Sequence, residues 1–255
     1  MFSLDKKIVV VCGGLGLIGK EVVKAVIEQG AYAIIADVDK DKGSRFLDEL
    51  DNSNVDYMDI DITNEKNVLR FIDDVEKNYG PIWAWVNLAY PRTDDWGDKL
   101  EDIKIESFAK NVDLQLNSQF ICCRAILEKM KERNEGVVVN CSSIYGMQGP
   151  NFHLYDGTAM TTPAAYSAIK AGIVNLTKYF AAYYGEYNLR INCIAPGGIF
   201  DNQNPVFVKN YNNMTPLGRM GNADEIAPGV VFLISKEASY ITGQTLVIDG
   251  GFTIW

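Results

Sequence analysis

Tyr166 and Lys170 stand four residues apart, and Ser143 precedes the tyrosine by 23 positions. On a helix the i, i+4 spacing puts phenol and ammonium on one face. A tyrosine ordinarily ionises near pH 10 and is a poor base at neutral pH. A cation alongside favours the phenolate, which can then take the proton of an alcohol. Ser143 could hydrogen-bond the same oxygen, although alone it reads as a plain turn serine. Thirteen tyrosines and seventeen lysines give about one such Tyr–Lys pair by chance. The spacing alone therefore leaves open a surface tyrosine stacked on a lysine stem.

A second constellation lies near the start of the chain. Cys12-Gly13-Gly14-Leu15-Gly16-Leu17-Ile18-Gly19 follows an apolar run and opens an amphipathic segment. Glycines permit a tight turn and close backbone approach, and a helix N-terminus offers N–H groups to a pyrophosphate. The plain alternative is a strand-to-helix turn that needs glycine only for its geometry. Asp37 comes 18 residues after Gly19. A carboxylate there can accept from both adenosine ribose hydroxyls and repels a 2′-phosphate, so NAD is expected over NADP. Asp39 and Asp41 deepen the negative field, and no arginine directly follows Asp37. With a nicotinamide nearby, the proton taken by Tyr166 would accompany a hydride lost from the same alcohol.

These residues need a frame. Short β-branched runs at 7–12, 33–36, 55–58, 82–87, 137–141, 190–194 and 245–248 alternate with helical patterns at 17–29, 64–78, 107–133, 163–185 and 223–235. Nearly continuous apolar runs mark strands buried on both faces of a parallel sheet. The expected fold is α/β, a Rossmann-type doubly wound sheet of seven mainly parallel strands in a single domain, 1–255. Two stretches interrupt the alternation. One, at 147–162, is rich in Gly, Pro and aromatics, and the other, at 200–218, is rich in asparagine. Both read as irregular, and with their flanks they make substrate loops of about 145–163 and 198–218.

Composition narrows the function classes. Hydrophobic residues make up 47% of 255, enough for a core, while the net charge of −9 argues against binding a nucleic-acid backbone. No apolar run reaches the roughly 18 residues of a membrane helix, and the apolar start breaks at Gly13-Gly14 where a cleavable signal would continue. The five cysteines are odd in number and lack C-x-x-C spacing, so neither a disulfide framework nor a metal site is indicated. A soluble cytoplasmic protein is the expectation.

Taken together the motifs resemble the short-chain dehydrogenase/reductase family, in its shorter form, across essentially the whole chain. They occur in family order: the glycine turn, Asp61-Ile62-Thr63, Val86-Asn87-Leu88-Ala89, Asn140-Cys141-Ser142-Ser143-Ile144-Tyr145-Gly146, Tyr166-x-x-x-Lys170 and Arg190-Ile191-Asn192-Cys193-Ile194-Ala195-Pro196-Gly197. Thr242-Gly243-Gln244-Thr245 and the run after it resemble the last strand. The resemblance implies Tyr166 as acid/base, Lys170 as its charge partner and ribose ligand, and Ser143 as substrate orienter. For the cofactor it implies Gly13, Gly16, Leu17, Ile18, Gly19 and Asp37 at the first turn and Asp61 and Ile62 by the adenine. Asn87 and Ala89 would lie along the dinucleotide, with Pro196, Gly197 and Ile199 beside the nicotinamide. It also implies a homodimer or homotetramer, with contacts on 107–133, 163–185 and the tail near Trp255.

The departures from the pattern are specific. Gly13, Gly16 and Gly19 follow the G-x-x-G-x-x-G spacing usual in the extended, nucleotide-sugar-modifying branch, and Leu17 occupies the usual middle-glycine position. Tyr90 stands where Asn-Asn-Ala-Gly ends in glycine, Gln115 aligns with the helix asparagine that completes the catalytic set, and Asp201 aligns with the usual threonine. Between Ser143 and Tyr166 about ten extra residues bring Gln148, Asn151, Phe152, His153, Tyr155 and Asp156, a lining suited to a polyhydroxylated substrate. The alternative is that this insertion packs on a neighbouring subunit. Tyr145 and His153 are candidate substrate contacts. The segment around Thr158 and Met160 resembles flagellin-modification oxidoreductases of bacterial surface-sugar pathways. A sugar or sugar-phosphate alcohol/ketone oxidoreductase is thus expected. Two rivals are an enzyme that retains NAD and epimerises nucleotide sugars, and a catalytically silent NAD-binding interaction protein.

Overall fold

The structure is a computed structural model covering residues 1–255. Seven strands, β1 (Ile8–Cys12), β2 (Tyr32–Asp37), β3 (Val55–Asp59), β4 (Ile82–Asn87), β5 (Gly136–Cys141), β6 (Leu189–Pro196) and β7 (Thr245–Ile248), form one sheet in the order β3-β2-β1-β4-β5-β6-β7. Every neighbouring pair is parallel. All five residues of β1 are buried, as an Ile-Val-Val-Val-Cys run requires when helices cover both faces. Alternate side chains feed opposite cores. Val10, Ile34 and Trp85 join one cluster of 24 buried residues and Val9, Val11 and Ile35 another of 23, so neither face is left to solvent.

Eight α-helices connect the strands: α1 (Leu17–Glu28), α2 (Lys40–Leu50), α3 (Glu65–Tyr79), α4 (Ile105–Val112), α5 (Ser118–Arg133), α6 (Ala164–Tyr184), α7 (Pro205–Met214) and α8 (Ala227–Ile234). The buried stripe of α6, Ala165, Ile169, Ile173, Thr177 and Phe180, recurs at helical spacing and lays the helix along the sheet. None of the helices is long and apolar enough to cross a membrane.

Two expectations need correction, and one helix was not anticipated. The pattern at 107–133 is not one helix, because a π-helical turn, Asp113–Asn117, separates α4 from α5. There Ser118 Oγ donates to the carbonyls of Leu114 (2.5 Å) and Gln115 (3.2 Å), a back-bond that competes with the regular ladder. The stretch at 200–218 is not irregular throughout, since it holds α7. Asn204 caps that helix by accepting from Val206 N, and Pro205 opens it. Finally, α2 carries too few apolar residues to stand out by periodicity; Asp39 caps it by accepting from Lys42 N.

Candidate active site

The chain runs β1→β2→β3 to one side, then returns to place β4 on the other side of β1, which puts the reversal of strand order between β1 and β4. In doubly wound sheets a ligand crevice opens at the carboxyl ends of the strands flanking that point. A cleft of about 1070 Å³ lies there, lined by segments that follow β1, β2, β3, β4, β5 and β6.

The dinucleotide end is built from the glycine turn. Gly13 has φ +75°, and a Cβ on it would lie 2.5 Å from Ala89 N, so β1 and β4 approach closely only because the side chain is absent. A Cβ on Gly19 would sit 2.1 Å from the Gly13 carbonyl oxygen, which closes the first turn of α1 on the glycine loop. Gly16, Leu17 and Ile18 line the cleft, and Gly16, at the N-cap of α1, offers no side-chain cap. Its first N–H groups and positive dipole end therefore suit a pyrophosphate. Asp37 closes β2 with Oδ2 accepting from Leu15 N (3.2 Å) and Oδ1 from Val38 N (2.8 Å), which fixes the carboxylate at the cleft wall. Asp61, Ile62, Ala89, Pro196, Gly197 and Ile199 also line it. These residues fit a nicotinamide dinucleotide.

Asn87 is placed otherwise than expected. It is buried behind the wall, where its Nδ2 donates to Asn140 Oδ1 (2.9 Å) and its Oδ1 accepts from Trp85 Nε1 (2.7 Å). Asn140 Nδ2 in turn donates to Thr177 Oγ1 at 2.9 Å. A buried amide takes internal partners when they are at hand, so Asn87 braces the sheet while Leu88 and Ala89 face the cleft.

At the other end α6 presents Tyr166 in its first turn and Lys170 one turn later, both lining the cleft with Ser143 and Tyr145. Lys170 is only 7% exposed, and a buried ammonium is costly unless partnered. Its Nζ donates to the Cys141 carbonyl (3.0 Å) and lies 5.4 Å from the Tyr90 ring centroid and 5.5 Å from that of Tyr166. Ser143 is buried and accepts from Tyr145 N at 3.2 Å. Tyr90 (5.9 Å), Trp96 (6.2 Å) and Tyr145 (6.4 Å) meet the Tyr166 ring edge to face. Burial pushes the phenols of Tyr90, Tyr145 and Tyr155 above the ordinary range and that of Tyr211 up to about 12, so all four stay neutral at physiological pH.

The insertion before α6 roofs this end. Asn210 Nδ2 donates to the carbonyls of Leu154 and Asp156, both at 3.1 Å, tying the insertion to α7. Tyr155 stacks on Phe207 at 5.5 Å, and Tyr211 stacks on Phe252 at 4.7 Å. Of the insertion residues expected as a substrate lining, only Tyr155 faces the cleft; Gln148, Asn151, Phe152, His153 and Asp156 do not. The histidine side chain is 87% exposed and faces Asp156 at 3.1 Å, so the expected substrate contact is absent. Gln115 is likewise apart from the cleft. It is buried in the π-helical turn, and neither its Nε2 nor its Oε1 finds a partner in the protein. Sequence reading missed Arg92, Gln203, Phe207 and Tyr211 as lining residues. The Asn204-Pro205 helix start would have put Phe207 and Tyr211 on one face, whereas nothing marked Arg92.

Known proteins resemble this chain along nearly its full length. A family model described as Enoyl-(Acyl carrier protein) reductase matches residues 16–253. The chain is 33% identical to the Post-translational flagellin modification protein A of Campylobacter coli, over 98% of this chain and 99% of that one. It is 31% identical to the 7alpha-hydroxysteroid dehydrogenase of Bacteroides fragilis, over 100% and 97%. A short chain dehydrogenase from Leptospira borgpetersenii, solved with bound NAD+, superposes with a TM-score of 0.86 at 35% identity, covering 98% of this chain and 93% of that one. With its parallel seven-stranded sheet and its matches along nearly the full length, the chain belongs to the short-chain dehydrogenase/reductase family, whose members are NAD(P)-dependent oxidoreductases.

Proposed function

We propose that this protein uses NAD to interconvert a secondary alcohol and a ketone on a sugar or sugar phosphate, in the synthesis of a bacterial surface glycan such as that of modified flagellin. The observation that carries the chemistry is the meeting of Tyr166, Lys170 and Ser143 at the end of the cleft opposite the dinucleotide turn. A nicotinamide bound in the cleft supplies the hydride acceptor. In the oxidative direction Ser143 Oγ donates to the substrate oxygen and holds the hydroxyl against Tyr166. The Tyr166 oxygen takes the hydroxyl proton, and the Lys170 ammonium offsets the negative charge that this oxygen carries beforehand. The ring edges of Tyr90, Trp96 and Tyr145 keep water from the transfer.

Asp37 supports NAD over NADP, since a carboxylate at the end of β2 that lines the cleft would repel a 2′-phosphate brought near it. Likeness to the flagellin modification protein supports the sugar assignment, as do the polar groups of Asp201 and Gln203 and the rings of Tyr155 and Tyr211 that line the cleft. Exposed Phe120, Tyr179 and Tyr183 on α5 and α6 support a homodimer or homotetramer built on those helices. The reading puts the enzyme in the cytoplasm, with its soluble nucleotide pool.

The test is turnover of NAD+ with a panel of sugar phosphates and nucleotide sugars, followed by NADH absorbance, on wild type and Tyr166→Phe. The substitution is expected to cut turnover by about 10²–10⁴ and leave NADH affinity unchanged. Full activity in the variant would end the mechanism. Silence across the panel with NADH binding intact would shift the assignment to retained-cofactor epimerisation or to a binding protein without turnover.

A further inference from the structure

Tyr90 and Arg92 lie on the segment after β4, and both line the cleft. Arg92 Cζ stands 5.2 Å from the Tyr90 ring centroid, and that ring is 5.9 Å from the ring of Tyr166. One aromatic ring thus bridges the guanidinium and the phenol expected to handle the proton. Three cations line the cleft: Lys42, Arg92 and Lys170. Lys42 belongs to the dinucleotide end and lies 3.8 Å from the Asp39 carboxylate. Lys170 is buried and bonded to Cys141. Of the three, only Arg92 combines exposure with the absence of a carboxylate within ion-pair distance.

In a chain of net charge −9, an unpaired guanidinium at the reacting end of the cleft is free to take an anionic partner from outside. Its planar fork matches a carboxylate or a phosphate, and stacking on Tyr90 pre-orients it at small entropic cost. Strand order adds a direction. The β5 end, with Ser143, lies between the β4 end that carries Arg92 and the β6 end that leads to Asp201 and Gln203. A ligand seated over Ser143 meets a cation on one side and a carboxylate and amide on the other.

We infer that the substrate carries an anionic substituent, a carboxylate or a phosphate, which Arg92 binds on the β4 side of the reacting carbon. Hydroxyls then face Asp201 and Gln203. The inference deepens the sugar reading above and rests on it for the place of the reacting carbon.

Calorimetric titration of the NADH-saturated protein with glucose, glucose 6-phosphate and glucuronate tests it, on wild type, Arg92→Gln and Arg92→Lys. Wild type is expected to bind at least one of the anionic sugars about tenfold or more tightly than glucose, with the margin falling as salt rises. Arg92→Gln is expected to erase the margin and leave NADH affinity within about twofold. Arg92→Lys keeps part of the margin for the phosphate and loses most of it for the carboxylate, because only the fork binds the latter at two points. Three outcomes overturn the inference: no preference for either anion in wild type, a preference untouched by Arg92→Gln, or a loss of NADH affinity in that variant, which would put the guanidinium on the dinucleotide. An Arg92-dependent margin combined with full turnover in Tyr166→Phe would instead remove the proton-transfer reading and leave the anion site standing.

Discussion

The Lys170 ammonium donates to the Cys141 carbonyl across 3.0 Å, joining the second turn of α6 to the last residue of β5. Ser143 lies two residues past that carbonyl, so one lysine ties the helix that carries Tyr166 to the strand end that carries Ser143. Lys170→Met keeps most of the buried stem and removes the charge. It is expected to lower turnover at least about a hundredfold and to weaken NADH binding, while the melting temperature stays close to that of wild type. Turnover near wild type, by the NADH absorbance assay, would sink the assigned role.

Asp37 anchors the glycine turn through Leu15 N and still faces the cleft. Asp37→Asn retains an acceptor and removes the charge. The ratio of NADPH to NADH dissociation constants is expected to fall by about tenfold or more, as a partly screened charge at close range would dictate. Fluorescence titration of both nucleotides reads the ratio directly, and an unchanged ratio contradicts the proposed preference.

Gly19 and Gly16 separate geometry from mere flexibility. A Cβ at Gly19 meets the Gly13 carbonyl oxygen at 2.1 Å, whereas one at Gly16 meets that oxygen at 3.3 Å and nothing else nearby. Gly19→Ala is expected to cost about 1–3 kcal/mol in denaturant unfolding and to abolish tight NADH binding. Gly16→Ala is expected to leave folding stability nearly unchanged. Equal costs at the two positions would refute this account of the turn.

Glu225 accepts from both terminal nitrogens of Arg219, at 2.6 and 2.7 Å, and from Asn222 N at 2.8 Å. Arg219 and the Asn222 backbone hold its carboxyl down from 4.5 to about 2. A carboxyl depressed on folding contributes stability that is present above its unfolded value and is lost as pH falls through the folded one. Glu225→Gln should therefore melt earlier than wild type at neutral pH, and the two curves should converge between pH 4.5 and about 2. Melts that stay equally far apart at the acid end would argue against the pair.

The sheet was readable because buried parallel strands leave continuous β-branched runs, and all seven such runs overlap observed strands. Tyr166 and Lys170 were readable because helical spacing is local. What escaped notice lacked a local signature. The π-helical turn depends on Ser118 bonding backwards, Asn87 turned inward because Trp85 and Asn140 offered partners from other positions, and His153 swung outward while Leu154 took the buried place beside it. Arg92 is an isolated loop arginine whose meaning comes only from the strand beneath it.

Asn210 also has a bearing on how this scaffold can be altered. Its side chain satisfies two carbonyls of the insertion, and the Tyr155–Phe207 stack joins the same pieces. Grafting residues 152–156 into a relative without α7 would take the donor from the part-buried Leu154 carbonyl and strip the ring of its neighbour. The two segments are thus one transferable module. Laboratory recombination, and natural divergence with it, has to exchange them together.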